Sequence, residues 1–253
     1  MQMPDPVAAH YRNLLARHYA WMVGLSFDEK VAEQRALLQP ILADVTRGLA
    51  LDLGSGPGYQ TFALAQLGFA PVLAFDTSAD LLGQLADRIG GLPIRVRSAD
   101  IVTLADHVQP GQPLRGQVSA IVCMGDTLTH LPSRDAVRSL FASIAAALAP
   151  GGVCVLTWRD LTAELTGANR FIPVRSDDDR IMTCFLETTS AETVEVHDLI
   201  YSRTAAGWTL EKSSYPKLRL APAWVADELA AAGLAVRPQT QAGRLCLAVA
   251  QKA

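Results

Sequence analysis

Leu49-Ala50-Leu51-Asp52-Leu53-Gly54-Ser55-Gly56-Pro57-Gly58 is the stretch of this chain with the fewest ways to fold. An apolar run ends in three glycines at alternate positions, and Tyr59-Gln60-Thr61-Phe62-Ala63-Leu64-Ala65 follows with helical composition. That order predicts a buried strand, a tight turn and a helix N-terminus. Glycine accepts positive φ and carries no side chain, so backbone in such a turn can come close to a ligand. The spacing is G-x-G-x-G, whereas a dinucleotide turn would read G-x-G-x-x-G. Pro57 also removes one of the amides a pyrophosphate would use. Asp52 stands two positions before the first glycine.

The rest of the chain sets wide bounds. Its 253 residues are 50% hydrophobic with a formal net charge of -3. That length suits one large α/β domain with an insertion, or a domain with a small cap. A nucleic-acid binder should carry a basic face, and no run of Lys and Arg occurs here. Met1–Pro6 lacks a charged region followed by an apolar stretch, so no signal peptide is expected. No apolar run approaches the ~18 residues that span a bilayer. The four cysteines, Cys123, Cys154, Cys184 and Cys246, lie in apolar strand-like runs without C-x-x-C spacing. They are expected to be buried, reduced thiols of a cytoplasmic protein, with no metal site.

Helical periodicity runs through Leu14, Leu15, His18, Trp21 and Met22, and again through Val31, Leu37, Leu38, Ile41 and Leu42. Gly24 and Ser26 separate the two helices. Strands and helices then alternate: strand 49–53, helix 58–67, strand 72–75, helix 78–89 behind Ser78, strand 94–99. After a looser stretch come strand 118–124, helix 133–148 behind Ser133, and strand 153–158. Strands separated by helices predict a doubly wound, Rossmann-like, mostly parallel sheet of seven strands. Between 161 and 220 the composition turns β-rich at 170–175, 180–187, 193–203 and 208–218, which predicts antiparallel hairpins inserted after strand five. A helix at 222–232 and two strands at 235–241 and 244–251 complete the core. The expected segments are a helical lid (1–47), an α/β core (48–160), an insertion capping the substrate (161–220) and a C-terminal completion (221–253). Asp177-Asp178-Asp179 reads as a solvated turn.

Right-handed crossovers line up the C-terminal ends of parallel strands, where ligands collect. Asp76, Asp100 and Gly125-Asp126 all fall at such ends, beside the glycine turn. With Asp52 and Gly54, Ser55, Gly56 and Gly58, this pattern resembles the class I S-adenosylmethionine (SAM)-dependent methyltransferases, whose first motif is acid-x-G-x-G-x-G. The resemblance implies SAM as cofactor. Asp76 would accept the ribose hydroxyls with Thr77 beside it, although it also competes as a helix cap. Asp100 would contact the adenine amino group with Ile101 on the ring, or cap a short helix. Asp52 would brace the turn or reach the amino group through water.

The run Val118–Leu131 ends in Met124-Gly125-Asp126-Thr127-Leu128-Thr129-His130-Leu131. It is similar to the G-N-S-x-x-H-L pattern of the glycine and sarcosine N-methyltransferase branch, with Asp126 and Thr127 in place of asparagine and serine. Met124 and Gly125 would line the cofactor, and Asp126 and His130 are candidate bases, each with a structural alternative. The aspartate disfavours glycine as acceptor, since like charges repel. Tyr11, Tyr19 and Trp21 are candidate lid residues over the cofactor, or part of a docking helix. Trp158, Arg159 and Asp160, then Tyr215 and Arg219, are further candidates to face substrate. The expectation is methyl transfer to nitrogen or oxygen of a small molecule, without nucleic-acid or membrane partners. An NAD(P)-dependent oxidoreductase and a non-catalytic SAM-binding protein are the competing readings.

Overall fold

Apolar runs punctuated by glycine, proline and capping serines become alternating elements in the computed structural model, which describes residues 5–253. In chain order they are α1 (Pro6–His10), a π-helical turn (Tyr11–Leu15), α2 (Ala16–Val23), α3 (Phe27–Ile41), β1 (Ala50–Leu53) and α4 (Tyr59–Gln66). Next come β2 (Val72–Asp76), α5 (Ala79–Ala86), β3 (Ile94–Ser98), α6 (Leu104–His107), β4 (Val118–Cys123), α7 (Arg134–Ala147) and β5 (Leu148–Trp158). The chain ends with β6 (Phe171–Ser176), β7 (Arg180–Thr188), β8 (Thr193–Thr204), β9 (Gly207–Leu218), α8 (Pro222–Ala231), β10 (Leu234–Val236), β11 (Thr240–Ala242) and β12 (Leu245–Lys252). Two compact units result. One combines the segment up to Ser26 with Leu161–Arg219, and the other combines Phe27–Asp160 with Leu220–Ala253. α3 therefore packs with the α/β core, while α1 and α2 pack with the hairpins.

The larger unit holds one sheet in the order β10-β12-β5-β4-β1-β2-β3, with β11 added on β12. β5, β4, β1, β2 and β3 pair in parallel, and β12 runs antiparallel to β5. The central strands are apolar along their length: Leu51, Leu53, Ala120, Ile121, Val122 and Val155 are fully buried. Strands covered on both faces have this composition. From β1 the chain builds outward through β2 and β3, then returns to add β4 and β5 on the other side. That reversal leaves a crevice beyond the ends of β1 and β4.

Most boundaries shift by one to three residues, and two larger differences from the sequence reading have a physical cause. β5 begins at Leu148, five residues early, because Leu148 pairs with Val118 before the register shifts at Ala120. Gly152 makes this possible: a Cβ there would lie 2.9 Å from both Ala149 O and Val118 O. The run 235–241, read as one strand, splits into β10 and β11 around Pro238, which has no amide to donate to the ladder. The cap residues are as expected, with Ser78 Oγ accepting from Leu81 N and Ser133 Oγ from Ala136 N.

In the smaller unit β6-β7-β8-β9 form an antiparallel sheet. Side chains alternate, so Val194, Val196, Asp198 and Ile200 share one buried face. Leu14, Leu15 and Tyr19 pack there against Met182 and Ile200. The opposite face shows Phe171, Ile181, Tyr201 and Leu210 to solvent. No helix among the described residues is long and apolar enough to cross a membrane.

Candidate active site

The turn after β1 passes through Gly54 (φ 77°), Gly56 (φ 53°) and Gly58 (φ 100°). The three glycines answer to different constraints. A Cβ on Gly54 would lie 2.3 Å from Thr127 Cγ2, and one on Gly58 would lie 2.8 Å from Leu85 Cγ. At Gly56 the nearest atom would be Leu81 Cδ1 at 3.9 Å, so positive φ rather than crowding favours glycine there. The Gly54 and Ser55 amides both donate to Phe75 O, at 2.8 and 2.9 Å, which pins the turn to the end of β2.

Asp76 closes the far side of the turn. Its Oδ2 accepts from Gly56 N at 2.7 Å and its Oδ1 from Ser78 N at 2.8 Å. Burial pushes this carboxyl above the usual range, opposed by the Ser78, Gly56 and Thr77 amides. Ser78 caps α5, so capping does not account for Asp76. Thr77 beside it is exposed. Asp52 lies beneath the turn, 1% exposed, with Oδ2 accepting from Thr61 Oγ1 at 2.6 Å. Burial pushes the Asp52 carboxyl up to about 7; the Thr61 hydroxyl opposes this and Asp76 adds to it. Of the two roles left open for Asp52, bracing the turn against α4 is the one these contacts display. Thr61 went unnoticed in the sequence, where a threonine in an apolar helix carries no signal of its own.

Asp100, exposed beyond β3, accepts from Val102 N at 3.0 Å and caps the 3₁₀ turn Ile101–Thr103, while Ile101 is buried. After β4, Met124 is buried and Gly125 (φ 73°) is exposed, with nothing within 4 Å of where its Cβ would be. Gly125 N donates to Thr157 Oγ1 of β5 at 2.9 Å. Asp126 (φ 83°) is the only non-glycine residue at positive φ among those described, a backbone state that costs energy and gathers at functional sites. Its side chain is engaged on both oxygens. Oδ1 accepts from Arg159 N at 2.9 Å and Thr129 Oγ1 at 3.0 Å, and Oδ2 is 3.5 Å from Arg159 Nε. Asp126 is buried whereas the Arg159 side chain is 51% exposed, so the aspartate holds a guanidinium out at the edge of the crevice. His130 ends the 3₁₀ turn Thr127–His130 and is half-buried.

The strand ends thus gather Asp52, Gly54, Ser55, Gly56, Gly58, Asp76, Thr77, Asp100, Ile101, Met124, Gly125, Asp126 and His130 within one unit. Tyr19 and Trp21 belong to the other. Trp21 donates its indole N–H to Asp177, and its ring lies 4.6 Å from the Arg180 guanidinium. Three further candidates have partners within the fold. Trp158 is fully buried with Nε1 donating to Leu220 O at 2.9 Å, because its position in β5 points into the core. Tyr215 is buried and stacks on His10 at 4.1 Å. Arg219 spends its guanidinium on the carbonyls of Leu161, Thr162 and Ser190. Cys184 and Cys246 are only half-buried, unlike Cys123 and Cys154.

This donor set fits an adenosyl sulfonium. Carboxylates suit a ribose diol and positive charge, Gly56 and Gly125 leave room, and Ser55 Oγ is buried without a partner. Residues 50–152 match the family model described as "Methyltransferase domain". Over 112 residues the chain is 30% identical to the glycine/sarcosine N-methyltransferase of Halorhodospira halochloris, covering 44% of this chain and 39% of that protein. The chain thus spans about two fifths of the length of that curated relative. A SAM-dependent methyltransferase from Clostridium acetobutylicum superposes with a TM-score of 0.71 at 14% identity, covering 97% of each chain. SAM-bound CalS10 from Micromonospora echinaspora, an amino pentose methyltransferase, gives 0.68 at 22% identity over 100% of this chain and 99% of that one. At such identities the two structures establish the fold. Motif and fold agree with the methyltransferase-domain match over residues 50–152.

Proposed function

We propose that this protein transfers the methyl group of SAM to a nitrogen or oxygen of a small cytoplasmic molecule, with an amine as the favoured acceptor. The observation that carries this reading is the cage of backbone and carboxylates at the ends of β1 and β2, where Asp76 grips the glycine turn through Gly56 N at 2.7 Å. The curated relative named above is a glycine/sarcosine N-methyltransferase, and CalS10 is an amino pentose methyltransferase, which favours an amine. The engaged Asp126 carboxylate and the outward Arg159 add a cation at the crevice edge, which suits an acceptor that also bears a carboxylate or phosphate.

SAM when bound supplies an activated methyl on a sulfonium; what remains for the protein is orientation and exclusion of water. In this reading Asp76 accepts the ribose hydroxyls, Asp100 and Ile101 bound the adenine, and Met124 and Gly125 line the path to the methyl. Asp126 positions Arg159 rather than removing a proton, since Oδ1 already accepts two hydrogen bonds and a proton on Oδ2 would displace the Arg159 guanidinium. His130 is the proton acceptor for an amine that arrives protonated, a role open to an imidazole because the group in general exchanges a proton near neutral pH.

Calorimetry with SAM and with NAD tests the cofactor, and mass spectrometry of amine panels tests the transfer. Heat on adding SAM, none on adding NAD, and a product heavier by one methyl group are expected. Binding of NAD in place of SAM would overturn the reading in favour of an oxidoreductase. SAM binding with no methylated product from any acceptor class would favour a non-catalytic SAM-binding protein.

A further inference from the structure

Asp52 is buried to 1% exposure in the central strand, directly before the glycine turn. Carboxylates in such places usually face a cation or several amides, because an ionised group taken from water must be compensated. Here the compensation is slight. α4 contributes the Thr61 hydroxyl, at 2.6 Å, and the Thr61 backbone amide. β2 contributes Asp76, which repels a second negative charge. β4 contributes the Cys123 thiol, itself held protonated by burial beside Cys154 and Asp52. No cation is among these neighbours. Two neutral donors of one residue, against two acidic groups and full burial, leave the ionised form poorly supported near neutral pH.

SAM would change that balance. It brings a sulfonium and an α-ammonium to the crevice whose floor begins two residues after Asp52. We propose that Asp52 is a proton-linked positioning residue: its carboxyl is protonated in the ligand-free protein near neutral pH and releases that proton to solvent when SAM binds. The proton leaves the carboxyl O–H, the resulting carboxylate keeps the Thr61 hydroxyl bond, and the ligand's positive charges replace the proton as counter-charge. Asp52 thereby acts through the turn and α4, without touching the reacting atoms. The inference rests on SAM being the cofactor.

Its signature is a proton count. SAM binding is measured calorimetrically between pH 5.5 and 7 in two buffers of different ionisation enthalpy, a window in which the ligand's own amino group stays charged. Net release of up to one proton is expected. Affinity should fall by about tenfold per unit of pH below the carboxyl's midpoint near 7, until the complex itself takes up the proton. Asp52→Asn should bind SAM with no proton release and a flat pH profile. Thr61→Val, which removes the donor to the ionised form, should move the midpoint upward, and Thr61→Ser should restore it; this pair decides the matter if Asp52→Asn does not fold. 5′-Methylthioadenosine, which lacks both cations, should bind without releasing the proton. SAM binding with no proton exchange would overturn the inference and leave the cofactor assignment standing. Absence of SAM binding at every pH would strike at the cofactor instead. The carboxyl carbon resonance of Asp52 in the ligand-free protein then still decides, since titration in the ordinary carboxylate range would overturn the inference by itself.

Discussion

The two sheets place their polar groups by opposite rules. In the parallel sheet, side chains that can bind or ionise sit at the C-terminal ends of strands, where they meet the crevice. In the antiparallel sheet they sit in the middle of a face and are consumed there. Asp198, on the buried face of β8, accepts from Cys184 Sγ at 2.7 Å and is 3.0 Å from His10 Nε2. His10 in turn stacks on Tyr215. A polar group at a strand end remains available to a ligand, and one buried in mid-face must find its partner within the fold. Motifs in the first sheet therefore speak of function, and polar residues in the second of how α1 is held.

The largest effect expected is a pH dependence in the parallel sheet. Asp52 ionises near 3.8 when unfolded and at about 7 when folded. Between those values only the folded state holds the proton, so stability falls as pH rises through this window, and the full penalty is present above it. The whole window is worth roughly 4 kcal/mol. Denaturation at pH 4.5 and 7.5 should show the wild type losing stability relative to Asp52→Asn as pH rises; parallel curves for the two proteins would refute it.

His10→Ala removes a side chain 3.0 Å from Asp198 and leaves that buried group short of a partner, at a cost of about 3 kcal/mol. Urea unfolding measures it. A loss under 1 kcal/mol would mean that the polar cluster in mid-face is not what holds α1. Gly54→Val should cost about 2–4 kcal/mol, combining positive φ with the clash against Thr127. Asp76→Ala should weaken SAM binding by about 1–3 kcal/mol while the melting curve barely moves, because its bonds serve the crevice more than the core. Unchanged SAM affinity would remove Asp76 from the cofactor site.

Much of the parallel sheet was legible in the sequence because its logic is local. The glycine turn, the capping Ser78 and Ser133, and acids at the ends of apolar runs each report on their own neighbourhood. The hairpins were legible too, through alternation and turn residues, with ends off by a residue or so. What stayed hidden depends on contacts distant in sequence. Thr61 matters because α4 folds back over β1, and Thr157 because β5 lies beside β4. Gly54, flagged as a ligand-facing glycine, is constrained by Thr127, seventy-three positions away. His10, Cys184 and Asp198 come from three separate elements and form no motif. Trp158 and Arg159 are adjacent and face opposite ways, because the strand's alternation carries one into the core and the other to the edge.

The smallest effect sharpens the comparison within the antiparallel unit itself. Arg17 and Glu211 pair across α2 and β9, with side chains 50% and 41% exposed. The pair joins the same layers that His10 and Asp198 join in the interior. Water already solvates both charges, so forming the pair gains little and holding two long side chains still costs entropy. Arg17→Ala should therefore cost less than about 1 kcal/mol, and the loss should shrink further in high salt. Urea unfolding of this variant beside His10→Ala isolates burial as the variable, because both changes remove a partner of an acidic side chain from the same helical segment. Equal losses in the two variants would show that contact between α-helices and sheet, and not the desolvation of the paired groups, sets the strength of the polar links in this unit.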